Sequence, residues 1–244
     1  MNQAAEAAIH CRGLCHEVQG RVILDRIDLC TDAARVGVVG RNGSGKSTLA
    51  RILAGLVRPS AGQVRIHGID IARDRRAALQ TVGLLFQNPE HQIIFPRVDE
   101  EIAFGLRQQG LSRDEAGRRA SAMLDWFGNA HWSDAPVTEL SQGQKHLVCM
   151  MAVLAMRPRL LILDEPFAGL DIPTRLQLAR YLDRASVGLL HISHDPADLA
   201  GCDRVFWLDR GRIVADGPPA PLLARFTEEM QRLGGLDDIS DLAG

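Results

Sequence analysis

The amino-acid sequence predicts an α/β domain built around a parallel β-sheet, with a helical segment inserted into it. Four short apolar runs are typical of strands covered on both faces in a parallel sheet; they lie at residues 35–40, 81–86, 160–164 and 187–193. Between residues 99 and 156, β-branched runs give way to Ala, Leu, Arg, Glu and Met at helical spacing, which predicts the inserted helices. A chain of 244 residues, 46% of them hydrophobic, is long enough for one large domain of this class.

The remaining elements follow from local patterns. Short strands, separated by turn residues such as Gly20 and Gly62, are predicted at residues 9–14, 22–29 and 64–66. A helix-prone stretch at 46–56 follows the strand at 35–40, so this part of the chain reads as strand, loop and helix. An amphipathic helix is predicted at 221–233, and the acidic segment after it is expected to be loose.

Composition excludes several classes of protein. The formal net charge of −2 gives no electrostatic reason to expect a nucleic-acid partner. The longest apolar run, residues 147–156, is about half the length that a bilayer-spanning helix needs. The first eight residues include Glu6 and lack a basic start, which is unlike a secretory signal. We therefore expect a protein that folds in the cytoplasm.

Five scattered cysteines are typical of reduced thiols in such a protein. One cluster, His10-Cys11 with Cys15-His16, could be drawn as a metal site. However, Cys11 and Cys15 are four residues apart in extended chain, too far for one tetrahedral zinc, and no second pair completes the set. We therefore interpret this cluster as part of the packing of the protein rather than as a metal site.

A phosphate-binding loop follows the strand at 35–40. The eight residues that match its pattern are Gly40, Arg41, Asn42, Gly43, Ser44, Gly45, Lys46 and Ser47, and Thr48 extends the predicted ATP-binding set. The glycines allow backbone N–H groups to converge on a phosphate, and the helix that begins near Lys46 directs its positive end at the same anion. Lys46 is expected to reach the β- and γ-phosphates, and the Ser47 hydroxyl to ligate Mg²⁺. The loop predicts a nucleoside triphosphate site.

Two carboxylates support this interpretation independently. Residues 160–163 are apolar and run directly into Asp164-Glu165. A buried strand that ends in a carboxylate places Asp164 at the edge of the sheet beside the phosphate loop, where it can hold Mg²⁺ directly or through water. Glu165 can then polarise an attacking water. The sequence thus predicts hydrolysis of the nucleotide as well as binding.

Further motifs narrow the class. Leu140-Ser141-Gln142-Gly143-Gln144 resembles the signature sequence of ABC ATPases and lies about twenty residues before Asp164. Phe86-Gln87 resembles their Q-loop, the segment 168–171 ending in Asp171 resembles their D-loop, and His194 resembles their switch histidine. This resemblance covers nearly the whole chain. It implies a phosphate-loop NTPase core with an antiparallel β subdomain, one domain at 1–244, a helical subdomain at about 98–157 and a helical tail at about 219–244.

The resemblance also implies roles and partners. Two copies would face each other head to tail and close two ATP molecules between them. Residues predicted to contact the ATP held by the other copy are Ser141, Gln142, Gly143, Gln144 and Asp171. Gln87 would ligate Mg²⁺ together with Ser47 and Asp164 and sense the γ-phosphate. The implied catalytic residues are Glu165 as general base, His194 holding the γ-phosphate and the water, and Gln87.

Two positions depart from the family pattern. Gln142 stands where a glycine is usual, but Gly143, nearer the phosphate contact, is kept. The family usually has an aromatic adenine platform about thirty positions before the phosphate-loop lysine, where this chain has His16 and Val18. Adenine contact should then be imidazole or aliphatic, and discrimination of ATP from GTP should be modest.

The segment from Phe86 to Pro96, with the continuation 98–105, is similar to the ATPases of energy-coupling-factor importers. Within that group, the segments 141–146 and 164–173 are most similar to the ATPases of biotin transporters. The alternative function is that of the ATPase of a cobalt or nickel importer. More remote alternatives are a soluble ABC ATPase and a non-hydrolysing scaffold. The family implies docking on a membrane T-component beside a substrate-binding membrane subunit, at the cytoplasmic face of the membrane. The apolar run 93–95 is interpreted either as part of that docking surface or as a plain core strand.

Overall fold

Two β-sheets and seven α-helices form residues 8–235, the part of the chain that the computed structural model describes. The strands are β1 Ile9–Val18, β2 Arg21–Thr31, β3 Arg35–Val39, β4 Ala61–Ile66, β5 Ile69–Asp70, β6 Val82–Leu85, β7 Leu160–Asp164, β8 Gly188–Ser193, β9 Arg204–Asp209 and β10 Arg212–Gly217. The helices are α1 Lys46–Leu53, α2 Arg75–Thr81, α3 Val98–Gln108, α4 Arg113–Phe127, α5 Gln142–Ala155, α6 Ile172–Arg184 and α7 Pro219–Gly234. Short 3₁₀ helices lie at Pro89–His91, Ala130–Trp132, Val137–Glu139 and Pro196–Leu199.

The larger sheet has the strand order β10-β9-β3-β8-β7-β6, in which only β10 is antiparallel to its neighbour. Every residue of β7 is buried, as expected for a strand covered on both faces. Because β3, β7 and β8 run in parallel, they end together at one edge of the sheet. The loops that follow them carry the predicted phosphate site.

The smaller sheet is antiparallel, with the order β2-β1-β4-β5. Its first two strands extend beyond the predicted ranges, to Val18 and Thr31, because their backbone pairing continues, with Val18 opposite Arg21 and Ile9 opposite Thr31. The sheet contacts the larger one where Asp25 donates its N–H to Gly211 O at 2.8 Å. The antiparallel sheet thus reaches the loops at the edge of the parallel sheet.

The helices α3, α4 and α5 lie in the stretch where the sequence predicts helices. They share one apolar core, to which Ile102, Leu124 and Val148 contribute buried side chains. Ser112 caps α4 by accepting the N–H of Glu115 at 3.2 Å, and Gly128 ends it with φ of 75°. The predicted fold class, an α/β core with an antiparallel sheet and inserted helices, is confirmed. The boundaries proposed for the helical subdomain and the tail stay predictions.

The structure revises three predictions about individual elements. Helix α1 ends at Leu53 rather than at residue 56, because Gly55 adopts φ of 72°, outside the helical region. The run 93–95 is not a strand, so its interpretation as a core strand is wrong. Helix α7 spans Pro219–Gly234, slightly longer than predicted, and the acidic segment at 236–244 lies outside the described residues.

Two absences hold for residues 8–235. None of the helices there combines the length and apolar character needed to cross a membrane. Within the same range, no three His, Cys, Asp or Glu side chains come together as a set that could hold a metal ion.

Candidate nucleotide site

The loop between β3 and α1 has the geometry that its glycines predict. A Cβ on Gly40 would lie 2.2 Å from Leu208 O, and one on Gly45 would lie 2.8 Å from Leu24 Cδ2. Gly45 also adopts φ of 103°, which side chains rarely tolerate. The backbone of this loop is therefore packed closely between β2 and β9, and helix α1 begins immediately after it.

Lys46 is the buried cation of this loop. Its ammonium donates hydrogen bonds to Gly40 O at 2.7 Å and to Arg41 O at 2.9 Å. It also lies 3.7 Å from the Glu165 carboxylate. Burial lowers the pKa of Lys46, while the carboxylates of Glu165 and Asp164 oppose that shift. The lysine is held in place before any anion binds.

Ser47 and Asp164 face each other at the end of β7. The Ser47 hydroxyl donates to Asp164 Oδ1 at 3.1 Å. Burial raises the pKa of the Asp164 carboxyl, and the hydrogen bond from Ser47 opposes the rise. Two oxygen groups therefore meet beside the phosphate loop, a hydroxyl and a buried carboxylate.

Glu165 and His194 meet at the adjacent strand ends. Glu165 has φ of 52° and donates its N–H to Ile192 O at 3.0 Å, so its left-handed backbone turns the side chain into the cleft. One Glu165 carboxylate oxygen lies 2.6 Å from His194 Nδ1, and the other faces Lys46. Glu165 is buried, whereas the side chain of His194 is half exposed. The pair lines the opening of the cleft.

A cleft of about 420 Å³ collects these groups. The residues that line it are Arg21, Ile23, Asn42, Gly43, Gly45, Lys46, Ser47, Thr48, Gln87, Glu165 and His194. Of the predicted ATP-binding residues, Gly40, Arg41 and Ser44 lie in the loop without lining the cleft. Asp164 lies beneath it, bonded to Ser47.

Arg21 and Ile23 line the cleft although the sequence did not identify them, and the expectation of adenine contact at His16 and Val18 stays a prediction. His16 pairs with the buried Leu24 across the β1–β2 ladder, and neither predicted residue lines the cleft. Alternation along β2 puts Arg21 and Ile23 on one face directly after the Gly20 turn. That periodicity was the signal that could have identified them.

The signature residues lie outside the cleft, at the start of α5. Ser141 accepts the N–H of Gln144 at 3.3 Å, and the Gln144 side chain accepts the N–H of Ser141 at 2.8 Å, which completes a capping box. Ser141 and Gln142 are exposed. No residue from Ser141 to Gln144 lines the cleft of its own chain.

The D-loop aspartate lies beside this helix start. Asp171 caps α6 by accepting the N–H of Thr174 at 3.0 Å, and hydrogen bonds from Thr174 lower the pKa of the Asp171 carboxyl. A Cβ on Gly143 would lie 2.6 Å from Thr174 Cγ2. The starts of α5 and α6 therefore form one exposed patch, defined here by Ser141, Gly143 and Asp171 and called the outer patch.

A buried histidine joins the outer patch to Gln87. His146 is fully buried on α5, and its two ring nitrogens each lie 3.1 Å from a backbone carbonyl, those of Gln142 and Gln87. Lys145 adds an ion pair to Glu90 at 2.5 Å. Sequence interpretation did not identify His146, because a lone histidine on an apolar helix gives no signal of its contacts.

Comparison with known proteins shows the family of this chain. The family described as ABC transporter matches residues 24–168, and the chain belongs to it as an ATP-hydrolysing subunit. ATPases of this family form dimers and work with membrane components.

The chain is 49% identical to the biotin transport ATP-binding protein BioM of Rhodobacter capsulatus, over 89% of this chain and 93% of that protein. It is 36% identical to the cobalt import ATP-binding protein CbiO of Syntrophus aciditrophicus, over 86% of this chain and 77% of that protein. Among solved structures, a subunit of the ABC transporter complex cbiONQ of Clostridium perfringens matches with a TM-score of 0.76 and 29% identity, covering 95% of this chain and 98% of that one.

Proposed function

We propose that this chain energises an energy-coupling-factor importer of biotin, and that it hydrolyses ATP with its own cleft and the outer patch of a second copy. The contact between Glu165 and His194, beside the buried Lys46, is the observation that carries the proposal. It puts a carboxylate, an imidazole and a fixed cation around one small space. This is the set of groups that hydrolysis of a γ-phosphate needs.

Lys46 binds the β- and γ-phosphates in this proposal. It is already bonded to two carbonyls of the loop, so binding of an anion costs little further ordering. The N-terminal end of α1 adds the positive end of its dipole and free N–H groups. Asn42, Gly43 and Thr48 contribute to the same cradle.

Mg²⁺ fits the oxygen groups at the end of β7. Ser47 and Asp164 supply a hydroxyl and a carboxylate, the hard ligands that Mg²⁺ prefers, and Gln87 lies at the same cleft. Burial raises the pKa of Asp164, so a cation there would relieve an unfavourable buried charge. When bound, Mg²⁺ neutralises charge on the phosphate oxygens. The three residues would hold it.

Glu165 acts as the general base in this proposal. It takes a proton from the attacking water while His194 holds the γ-phosphate and keeps the water in place. The 2.6 Å contact between the two side chains fixes the carboxylate before the substrate binds. Because Glu165 is buried, bulk solvent has little access to its carboxylate, which leaves room for the attacking water alone.

A second copy completes each site. Ser141 and Gly143 lie at the N-terminal end of α5, where free N–H groups and the helix dipole favour an anion. Ser141 is exposed and Gly143 partly exposed, and neither lines the cleft of its own chain, so the phosphate that they contact in this proposal is one held by another copy. Head-to-tail pairing of two copies produces two equivalent composite sites.

The membrane subunit is proposed to dock at the loop 93–95. Ile94 exposes 67% of its surface although it is a large apolar residue. The N–H groups of Ile94 and Phe95 are bonded to the buried carboxylate of Glu101 at 2.8 and 2.9 Å, and Phe95 packs on Phe104. The loop is thus held rigidly with its apolar side chain outward, as an interface anchor requires.

Docking can be tested with a charge. Ile94→Asp should abolish co-purification of this chain with the membrane T-component when both are expressed together, while ATP binding is retained. Leu56→Asp is the matched control, since Leu56 is comparably exposed and distant in sequence. Full assembly of the Ile94→Asp variant would contradict the docking surface.

The cargo is tested by uptake. We infer biotin because the similarity to the biotin transport protein exceeds that to the cobalt import protein. Cells that lack their own uptake systems, and express this chain with its membrane partners, should accumulate radiolabelled biotin. Lys46→Ala should abolish the accumulation. Uptake of cobalt or nickel ions instead of biotin would assign the alternative cargo.

A further inference from the structure

An ion pair outside the cleft joins the start of α6 to the loop that carries His194. Arg175 lies one turn after Asp171 on α6, and its guanidinium pairs with the carboxylate of Asp198. Asp198 lies in the 3₁₀ helix Pro196–Leu199, directly after the His194 loop, and only 8% of its side chain is exposed. Asp198 needs this partner, because a buried carboxylate without one is costly.

Asp198 also fixes both neighbours of His194. Its second oxygen accepts a hydrogen bond from the Ser193 hydroxyl at 2.8 Å. The same hydroxyl accepts the N–H of Asp195 at 3.0 Å. Arg175 adds a longer contact to the Asp195 carboxylate at 3.9 Å. The residues on either side of His194 are therefore held by one charged group.

The pair reaches the Glu165 side of the site through an aromatic ring. The Arg175 guanidinium lies over the ring of Phe167, 5.7 Å from its centroid, and Phe167 is two residues after Glu165. On its other side Phe167 packs edge-on against the buried His191 at 5.4 Å. Burial lowers the pKa of His191 to about 4, so this imidazole is neutral and the charges of Arg175 and Asp198 balance each other.

Neither member of the pair lines the cleft. They cannot contact the nucleotide of their own chain directly, and they contact the loops that hold the two reacting groups. A misplacement of about 1 Å at a reacting group can cost about a hundredfold in rate without loss of binding. A variant that loses turnover but keeps its affinity for the nucleotide therefore indicates a positioning role rather than a binding role.

We propose that Arg175 and Asp198 form a positioning pair that sets the contact between His194 and Glu165 and ties it to the helix bearing Asp171. The inference rests on the proposed roles of Glu165 and His194. In this arrangement the end of α6 that faces the second copy cannot move without moving the loop of His194. Docking of the partner copy is thereby linked to the geometry of hydrolysis.

The test compares three substitutions in the full-length chain. Arg175→Met removes the charge and keeps the length of the side chain, Arg175→Lys restores the charge, and Asp198→Asn keeps the shape of the acid. Arg175→Met and Asp198→Asn should each lower kcat by roughly 10- to 100-fold with the Kd for ATP within about twofold of wild type. Arg175→Lys should recover most of the loss. Arg180→Met, at an exposed arginine of the same helix, is the control and should keep wild-type kcat.

A second readout reports geometry directly. The ring nitrogen signals of His194 in NMR spectra should shift in Arg175→Met and Asp198→Asn and stay unchanged in Arg180→Met. If Arg175→Met does not fold, as judged by its melting temperature, Asp198→Asn decides the question.

The proposal is overturned by unchanged kcat, by a rise in Kd proportional to the fall in kcat, or by unshifted His194 signals. Glu165→Gln separates this failure from a failure of the proposed site. If Glu165→Gln is inactive and Arg175→Met is fully active, only the positioning pair is wrong. If Glu165→Gln hydrolyses ATP normally, the roles given to the site itself are wrong.

Discussion

The cleft and the outer patch differ in how their polar groups are satisfied. In the cleft, functional side chains meet one another: Lys46 faces Glu165, Glu165 faces His194, and Ser47 bonds to Asp164. In the outer patch, Ser141 and Asp171 each cap the helix that begins beside them, and both remain exposed.

The difference shows which half of the machinery one chain can assemble alone. Buried charges need partners, so the cleft has to be organised by the fold itself. Helix caps exposed to solvent need no buried partner of opposite charge. The free N–H groups in the first turn of the capped helices remain available to an outside anion. In the proposed function, a single chain therefore holds one nearly complete half-site and presents the other half to a second copy.

The largest expected effect lies in the cleft. Glu165→Gln should lower turnover by roughly 10²- to 10⁴-fold, the range for loss of a general base, and leave ATP binding intact. Steady-state hydrolysis and a binding titration measure the two quantities. Lys46→Ala is the comparison, since it should weaken ATP binding itself. Near-normal hydrolysis by Glu165→Gln would contradict the assignment of Glu165 as the general base.

In the outer patch, Gly143→Ala should reduce turnover by about 100-fold with unchanged affinity for ATP, because the added Cβ would displace the backbone N–H and loss of one anion-stabilising contact costs about that much. The added Cβ would clash with Thr174, only 2.6 Å away. Adding Thr174→Ala should restore part of the activity. If the double variant is no better than Gly143→Ala, the defect has another origin.

Asp171→Ala should have a smaller effect, about tenfold on turnover, and should lower the free energy of unfolding by about 1 kcal/mol through loss of the α6 cap. Asp74 caps α2 in the same way, accepting the N–H of Ala77 at 2.9 Å. Asp74→Ala is therefore the matched control for the cap alone. Equal turnover in the two variants would mean that Asp171 is only a cap.

The smallest effect concerns the base of the nucleotide. Arg21→Ala should raise the Kd for ATP a few-fold, since an exposed guanidinium over an aromatic base contributes about 0.5–1 kcal/mol. Arg12→Ala, at an exposed arginine of β1, should leave Kd unchanged. With so little specific contact, preference for ATP over GTP should be modest. A preference above about a hundredfold would contradict this view of the base site.

The cleft was more predictable from sequence than the outer patch, for physical reasons. The loop from Gly40 to Ser47 and the run ending in Asp164-Glu165 are local patterns whose chemistry follows from spacing. The parallel order of the strands then brings their ends together. Contacts between distant segments have no such local signal, and the approach of Gly143 to Thr174 is one of them.

Side-chain contacts between segments far apart in the chain were the least predictable from sequence. Arg175 and Asp198 are two charged residues in unrelated segments, and only the packing of α6 against the loop after β8 makes them a pair. The same is true of His146, whose buried contacts depend on the docking of α5 against the Gln87 loop. The run 93–95 was ambiguous from sequence because apolar residues suit a core strand and an interface equally.

The central claim is that the cleft of one copy needs the outer patch of another. Analytical ultracentrifugation of the Glu165→Gln protein with Mg²⁺ and ATP measures this most directly. The account predicts twice the mass of the chain with ATP and the mass of one chain without it. It also predicts one-chain mass with ATP still bound when Ser141→Arg is added. A Glu165→Gln protein that stays a single chain with ATP bound, or a double variant that still pairs, would contradict the account.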